Sequence, residues 1–268
     1  MTHRVYAIRY ARRDARSGEH FYGHDPHDAP MPMDYFMWVA VSDAAAVVID
    51  AGFTPEVARE RGREIVCDPV EVLGRLGVAA GDVSDVVLTH LHYDHTGNLA
   101  AFPRARFWVQ DAEMAFWTGR YAARGEIGAV VTPADVIDLA RLNFEHRLAF
   151  VDGDGRVAPG ITVHRVGGHA PGLQVVLVDA PGGRVLLASD ASHFYANLEQ
   201  DRPFAIVHSL PGMYGAFDRV HELAGASEPR ALIVPGHDPL VMERHPPAAP
   251  GLEGLAVELT RRVTAAGR

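Results

Sequence analysis

The most informative segment of this 268-residue chain is VVLTHLHYDHTG, residues 86–97. Its apolar beginning predicts a buried strand, and the turn that follows carries His90, His92, Asp94 and His95. Neutral imidazole and carboxylate are ligands for zinc and other first-row divalent ions. Clustering such groups without an ion would leave desolvated polar atoms unpaired. The stretch therefore predicts a metal site rather than a polar loop with chance histidines.

Three later segments repeat the pattern of an apolar run that ends in one metal-binding type of residue. His169 follows residues 161–166, Asp190 follows residues 185–188, and His237 follows residues 231–234. Strand ends that meet at one edge are where α/β proteins build sites, and glycine beside them allows sharp turns. Together with the first stretch, these residues supply enough ligands for two metal ions.

The order of these residues resembles the metallo-β-lactamase fold superfamily over about residues 35–240. Two further segments are similar to motifs of that family. VVIDAG at residues 47–52 resembles its strand ending in Asp-Thr-Gly, and GHAPG at residues 168–172 resembles its Gly-His-Thr-Pro-Gly. The resemblance implies an α/β fold, a four-layer αββα sandwich of two mixed β-sheets with helices outside. We expect one such hydrolase domain over residues 1–268.

The resemblance also implies how the ligands divide between two divalent ions, which we expect to be zinc. One ion would be held by His90, His92 and His169, the second by Asp94, His95 and His237, and Asp190 would bridge them. Asp50 would support the ligand loop without binding metal itself.

The branch of the family that this chain resembles most is that of the N-acyl-homoserine lactonases, which act in quorum quenching. It implies opening of a lactone ring by metal-hydroxide attack on the carbonyl, with Asp94 passing a proton to the leaving group. Lactonases of this branch carry a tyrosine three residues after the bridging aspartate. Here His193 stands at that position and Tyr195 two residues later, so either side chain is a candidate oxyanion donor.

Other activities of the same fold remain open at this point. A glyoxalase II-like thioesterase would append a glutathione-binding domain, but only about 30 residues follow His237. A phosphodiesterase or nuclease would carry a basic arm, and a zinc β-lactamase would use a cysteine ligand. A non-catalytic metal-binding protein would not need the complete ligand set.

Composition narrows the class of protein further. All 25 basic residues are arginine, which excludes lysine Schiff-base chemistry and a lysine-bearing P-loop. The net charge of −9 argues against a nucleic-acid partner, and no apolar run is long enough for a membrane span. The single cysteine, Cys67, and the lack of an apolar leader favour a cytoplasmic protein. Homodimerisation is implied only by the resemblance to lactonases.

The pattern of apolar and turn residues predicts the secondary structure. Strands are expected at residues 5–9, 35–41, 46–49, 86–89, 106–109, 148–151, 162–166, 174–178, 184–188 and 231–234. Helices are expected at residues 55–63, 69–76, 111–124, 133–142, 215–224 and 254–265. Cys67 is expected in a helical stretch. Two segments, 18–35 with its three histidines and the aromatic 107–143, are expected to flank the substrate pocket.

Overall fold

A computed structural model describes residues 1–23 and 27–260 of the chain. Every predicted strand forms close to its expected bounds. The strands are β1 Arg4–Arg13, β2 Met33–Val41, β3 Ala46–Ile49, β4 Glu64–Ile65, β5 Asp85–Val87, β6 Arg106–Gln110, β7 Leu148–Val151, β8 Asp154–Ala158, β9 Ile161–Arg165, β10 Gln174–Ala180, β11 Gly183–Ser189, β12 Leu232–Pro235 and β13 Ala256–Glu258. The helices are α1 Pro55–Arg61, α2 Pro69–Arg75, α3 Asp111–Trp117, α4 Gly125–Gly128, α5 Pro133–Phe144, α6 Tyr195–Glu199, α7 Leu210–Gly225 and α8 Leu240–Arg244.

The strands form two sheets. The larger has the order β13-β1-β2-β3-β5-β6-β7, with β4 paired to β1, and the smaller has the order β12-β11-β10-β9-β8. Strands β3, β5, β6 and β7 run parallel to one another, as do β11 and β12. The other neighbouring pairs are antiparallel, so both sheets are mixed.

Three apolar clusters hold the layers together. The central cluster lies between the sheets and joins side chains such as Trp38 and Ile49 to Val163 and Leu187. A second covers the outer face of the larger sheet beneath α1, α2, α3 and α5, and a third packs α7 on the smaller sheet. Because each sheet buries one face against the other and its second face against helices, the predicted αββα sandwich is confirmed.

Parallel strand pairs bring the predicted ligands to one edge of the fold. Asp50 follows β3, the ligand loop 89–97 follows β5, Asp190 follows β11, and His237 follows β12. His169 lies on the loop from β9 to β10. The carboxyl ends of neighbouring parallel strands point the same way, so these loops meet above the gap between the two sheets.

Several sequence predictions differ from the structure in their details. The helix expected over residues 111–124 ends at Trp117, and α4 follows as a separate turn. Cys67 lies in neither helix but between β4 and α2, where its thiol donates to the carbonyl of Arg9 at 3.4 Å. The helix expected over residues 254–265 is wrong for its described part, because Ala256–Glu258 pairs with β1 as a strand. Residues 261–265 of that expected helix lie outside the described residues. So does His24, one of the three histidines of the segment 18–35.

Within the described residues, no helix has both the length and the apolarity required to cross a membrane.

Candidate metal centre

Seven buried side chains meet where the strand ends converge. Two groups of ligand atoms, each within 4.8 Å of one another, are formed by His90, His92, His169 and Asp190, and by Asp94, His95 and His237. All seven are nearly inaccessible to solvent. The structure thus brings together every residue that the sequence analysis assigned to the two metal ions.

Asp190 lies between the two groups and turns one carboxylate oxygen toward each. Its Oδ2 is 3.2 Å from His169 Nε2 and 3.7 Å from His90 Nε2. Its Oδ1 is 3.1 Å from His237 Nε2 and 3.5 Å from His95 Nε2. Because each oxygen faces a different group, the Asp190 carboxylate has the geometry required of a carboxylate shared by two ions.

The ring nitrogens that face away from the centre are held by polar partners. Nδ1 of His169 donates to the carbonyl of Ile206, and Nδ1 of His237 donates to the carbonyl of Asp34, both at 2.8 Å. Nδ1 of His95 donates to Asp50 Oδ2, also at 2.8 Å. Each bond fixes the tautomer that leaves Nε2 with its lone pair toward the centre. His92 is the exception, since it presents Nδ1 at 2.9 Å from His169 Nε2.

The residues present fit a pair of divalent cations. The inward nitrogens His90 Nε2 and His95 Nε2 are buried and have no hydrogen-bond partner among the described residues. Buried polar atoms are almost always paired, because an unpaired one costs about 1–3 kcal/mol. A metal ion would satisfy both atoms, and a set of imidazole and carboxylate ligands suits zinc and its first-row neighbours.

Burial and charge shift the pKa values of the ligand side chains in different directions. Burial lowers the pKa of His90 and of His92 well below the ordinary value, so both rings are neutral. Burial alone would raise the pKa of Asp190, but the surrounding imidazoles, led by His193, hold it well below its usual range. Metal ligands must be deprotonated, and these three are. For His95, burial lowers the pKa, but the carboxylates of Asp50, Asp94 and Asp190 outweigh burial and raise it.

Asp50 supports the ligand loop through hydrogen bonds, as the resemblance to the metallo-β-lactamase superfamily implied. Its carboxylate accepts from the backbone N–H of Thr89 at 2.7 Å and from the Thr89 hydroxyl at 2.9 Å, besides His95. Asp50 itself has φ +62°, and Ser189, whose hydroxyl lies 2.9 Å from that of Thr89, has φ +45°. Two non-glycine residues in this region of backbone conformation store strain that the surrounding hydrogen bonds must offset.

Glu113 is a buried residue of the site that the sequence analysis missed. Its carboxylate accepts from the backbone N–H of Leu91 at 3.0 Å, from Trp117 Nε1 at 2.9 Å and from the backbone N–H of Gly172 at 2.6 Å. It therefore ties the loop of His90 and His92 to the loop of His169. No local signal identifies it, because its partners are up to 59 residues away in the chain.

Glycine is required where the site loops touch other backbone. A Cβ on Gly97 would lie 2.6 Å from the Cα of Phe53 and 2.9 Å from the carbonyl of Gly52. A Cβ on Gly236 would lie 2.8 Å from the carbonyl of Ser189 and 2.9 Å from Asp190 Oδ1. These approaches let the loops that carry His95 and His237 pack directly on the ends of β3 and β11.

The two candidate oxyanion donors occupy different places. His193 lies at the centre, with Nε2 at 3.0 Å from Asp190 Oδ2 and its ring stacked on Phe204. Burial outweighs the attraction of Asp190 and lowers the pKa of His193 to about 3, so the ring is neutral. Tyr195 does not line the cleft over the centre. Its ring packs against the cluster between the sheets, with the guanidinium of Arg244 at 3.9 Å from its centroid.

A cleft of about 560 Å³ opens over the centre. One wall is apolar and comes from both segments that were expected to flank the pocket and from residues 204–207. It includes Met33, Phe116, Trp117, Ile127, Phe204 and Ile206. The lining also includes the polar side chains of Tyr35, Arg63 and Tyr93. His20, in the segment 18–35, lies away from the cleft, with Nε2 at 2.8 Å from the carbonyl of Met31 and its ring on Phe194.

Comparison with known proteins places this geometry in a family. Residues 32–237 match the model of the metallo-beta-lactamase superfamily. An N-acyl homoserine lactonase of Bacillus sp is 29% identical over 170 residues, which cover 63% of this chain and 61% of that protein. The chain thus matches less than two thirds of that relative's length.

A longer match is found with the N-acyl homoserine lactonase AttM of Agrobacterium fabrum. It is 30% identical over 233 residues, which cover 79% of this chain and 84% of AttM. Among solved structures, that of a quorum-quenching N-acyl homoserine lactone lactonase superposes with a TM-score of 0.72 at 22% identity, over 90% of this chain and 94% of that chain. At that identity the structural likeness supports the fold alone.

Proposed function

Because the chain belongs to the metallo-beta-lactamase superfamily, we propose that it is a dinuclear metal-dependent hydrolase that opens the ring of a lactone of the acyl-homoserine type. One observation carries the proposal. A complete set of seven ligand-type side chains, with the carboxylate oxygens of Asp190 divided between two groups, lies beneath a cleft with an apolar wall. The relatives named as lactonases support the choice of substrate.

In this proposal His90, His92 and His169 would hold one zinc ion, Asp94, His95 and His237 would hold the other, and Asp190 would be shared between them. When bound, such ions polarise an ester carbonyl and lower the pKa of a coordinated water toward neutrality. Zinc is proposed because mixed imidazole and carboxylate sets are typical of catalytic zinc sites.

The protein's own residues then position the substrate and carry its protons. Asp94 lines the cleft and lies beside His95 and His237, with Oδ2 at 3.6 and 3.7 Å from their Nε2 atoms. From there its carboxylate can accept a proton and pass it to the departing ring oxygen. The apolar wall around Trp117 and Ile206 holds an acyl tail and excludes water from it.

His193 is proposed to act on Asp190 rather than on substrate. An ionised carboxylate can only accept, so Nε2 of the neutral His193 ring must carry the hydrogen that it donates to Asp190. A neutral imidazole has one N–H, and this bond uses it. Tyr195 lies outside the cleft lining. We therefore expect His193→Ala to weaken metal binding and Tyr195→Phe to leave turnover within about threefold of wild type, since no donor to the developing charge is lost.

The test is a hydrolysis screen of zinc-loaded protein with N-hexanoyl homoserine lactone, a thioester and a bis-aryl phosphodiester, read with a pH indicator or by thiol or phenol release. The proposal predicts release of one proton per lactone opened at neutral pH and much slower cleavage of the other two. Cleavage of the thioester or phosphodiester without ring opening would contradict the proposed substrate. No hydrolysis by a protein that binds zinc would favour a non-catalytic metal-binding role.

A further inference from the structure

The lining of the cleft includes a tyrosine, Tyr35, whose ring contacts the metal centre. Tyr35 lies on β2, and its ring meets that of His237 edge-on at 5.2 Å between centroids. A second edge contact, with Phe53 at 5.2 Å, fixes the other side of the ring. Tyr35 is buried yet lines the cleft. Its ring is therefore held against His237, one member of the group formed by Asp94, His95 and His237.

A hydrogen-bond relay ends on this hydroxyl. Arg63 Nε donates to the Tyr93 hydroxyl at 3.1 Å, and the Tyr93 hydroxyl donates to the Tyr35 hydroxyl at 3.3 Å. Guanidinium has donors only, so Tyr93 is the acceptor of the first bond. Tyr93 accepts from a cation, which makes its own hydrogen the better donor toward Tyr35. The Tyr35 hydrogen is then left without an acceptor among the described residues.

The cation at the start of the relay has no ion-pair partner among the described residues, although the charge of Asp94 acts on it from a distance. Its NH1 donates to the carbonyl of Arg61 at 2.6 Å, and the guanidinium lies 5.9 Å from the Tyr35 ring centroid. A half-buried cation at one end of two hydroxyls strengthens the donor at the other end.

We propose that Tyr35 is a catalytic residue that donates a hydrogen bond to the substrate oxygen on which negative charge develops, and that Tyr93 and Arg63 are the positioning residues that polarise it. This inference rests on the proposed function. It assigns to β2 the donor that lactonases of this branch carry after the bridging aspartate, where this chain has His193 engaged with Asp190. A donor fixed in advance by packing acts most strongly on the transition state.

The experiment compares steady-state kinetics and zinc content of wild type, Tyr35→Phe, Arg63→Met and the double variant Tyr35→Phe/Arg63→Met. Tyr214→Phe, an exposed tyrosine on α7, is the matched control. We expect Tyr35→Phe to lower kcat by about 10–1,000-fold with little change in KM, because only a transition-state contact is lost. Zinc content should stay as in wild type, and Tyr214→Phe should change nothing.

The double variant separates a relay from simple packing. If Arg63 acts through Tyr35, Arg63→Met lowers kcat in the wild-type background but has no further effect on Tyr35→Phe. Arg63→Lys, which keeps the charge, should recover part of the loss. Fully additive losses would mean that Arg63 acts independently and would overturn the relay.

Further outcomes test whether Tyr35 is the hydrogen-bond donor and whether the substrate is a lactone. Normal kcat in Tyr35→Phe, or a raised KM with unchanged kcat, would overturn the assignment of Tyr35 to the transition state. The same variants are assayed with p-nitrophenyl butyrate. Loss of that activity in Tyr35→Phe would support the donor even if wild type opened no lactone. A zinc-loaded wild type that hydrolyses neither compound would overturn the proposed function and this inference together.

Discussion

At the scale of single residues, the centre depends on which atom each side chain turns inward. Hydrogen bonds to Asp34, Asp50 and Ile206 fix the outer nitrogens of three imidazoles, so the inner nitrogens need no rearrangement to bind metal. Asp190 turns one carboxylate oxygen toward each group of ligands. The centre is thus preorganised by contacts that lie one layer outside it.

Replacing Asp190 tests the shared carboxylate. In Asp190→Asn one oxygen becomes an NH2 group, which cannot bind a cation, so we expect loss of at least one zinc per chain and a fall in kcat of about 100-fold or more. Elemental analysis and lactone hydrolysis measure the two effects. Asp138→Asn, an exposed aspartate on α5, is the control. A variant that keeps both ions and full activity would mean that another residue bridges them.

Glu113→Gln tests the buried carboxylate that joins two ligand loops. Glutamine keeps the volume but brings an NH2 group against backbone and indole N–H donors. We expect the free energy of unfolding to fall by about 2–4 kcal/mol and zinc affinity by about 10–100-fold. Urea unfolding and competition with a chelating dye give these values. If the exposed Glu222→Gln variant showed the same losses, the effect would not arise from these contacts.

Among the secondary-structure elements, the site lies where parallel strands end and the loops that follow them pack against one another. The loop after β5 packs against the turn after β3 at Gly97, and the turn after β12 packs against the end of β11 at Gly236. Strand order therefore brings the ligands near one another, and the absence of a Cβ allows the final approach.

Gly97→Ala should be destabilising, because the added Cβ meets backbone atoms of Gly52 and Phe53 that cannot rotate away. We expect the free energy of unfolding to fall by about 2–4 kcal/mol. Gly74→Ala, within α2 and with open space around its Cβ, should be neutral or stabilising by less than about 1 kcal/mol. Equal unfolding midpoints for the two variants in urea would contradict this account.

The contact between α5 and the ligand loop predicts a pH effect. The Thr96 hydroxyl donates to Asp135 Oδ2 at 3.1 Å, and burial raises the pKa of Asp135 to about 6. A carboxyl with a raised folded-state pKa favours the fold when protonated. Its contribution is complete below the unfolded value of 3.8 and is lost as pH rises through about 6.

Asp135→Asn imitates the protonated carboxyl. We expect it to be more stable than wild type at pH 7.5 by on the order of 1 kcal/mol, after solvent screening of a partly exposed group. The difference should shrink as pH falls from 6 to 4. Urea unfolding of both proteins across this range is the measurement, and a difference that stayed constant with pH would show that Asp135 does not titrate as described.

At the scale of the whole molecule, much of the fold could be predicted from the chain. Strands β3 and β7 begin and end where apolar runs predicted them, and the ligand residues were visible because each follows such a run. Strand β13 was missed because its three residues are extended only by pairing with β1, a partner about 250 residues away. The contacts of Glu113 were missed for the same reason, and so were the roles now proposed for Tyr35 and Arg63, since all of them depend on contacts between distant segments.

The fold and the centre should also be coupled energetically. The ligands come from both sheets, so bound ions join the two halves of the sandwich, and a ligand that binds only the folded state stabilises it. We expect apoprotein prepared with a chelator to unfold at a Tm at least about 5 °C below that of the zinc-loaded protein. Calorimetry with and without added zinc measures the shift. Equal Tm values in the two states would show that the ions do not bind at this centre.

The most direct test of the central claim is a titration of apoprotein with zinc, read as the initial rate of N-hexanoyl homoserine lactone opening per mole of chain. We expect the rate to rise until two equivalents are bound and then to stay constant, because both groups of ligands must be filled for attack on the carbonyl. A rate that reaches its maximum at one equivalent would contradict a dinuclear centre, and no ring opening at any equivalent would contradict the proposed activity.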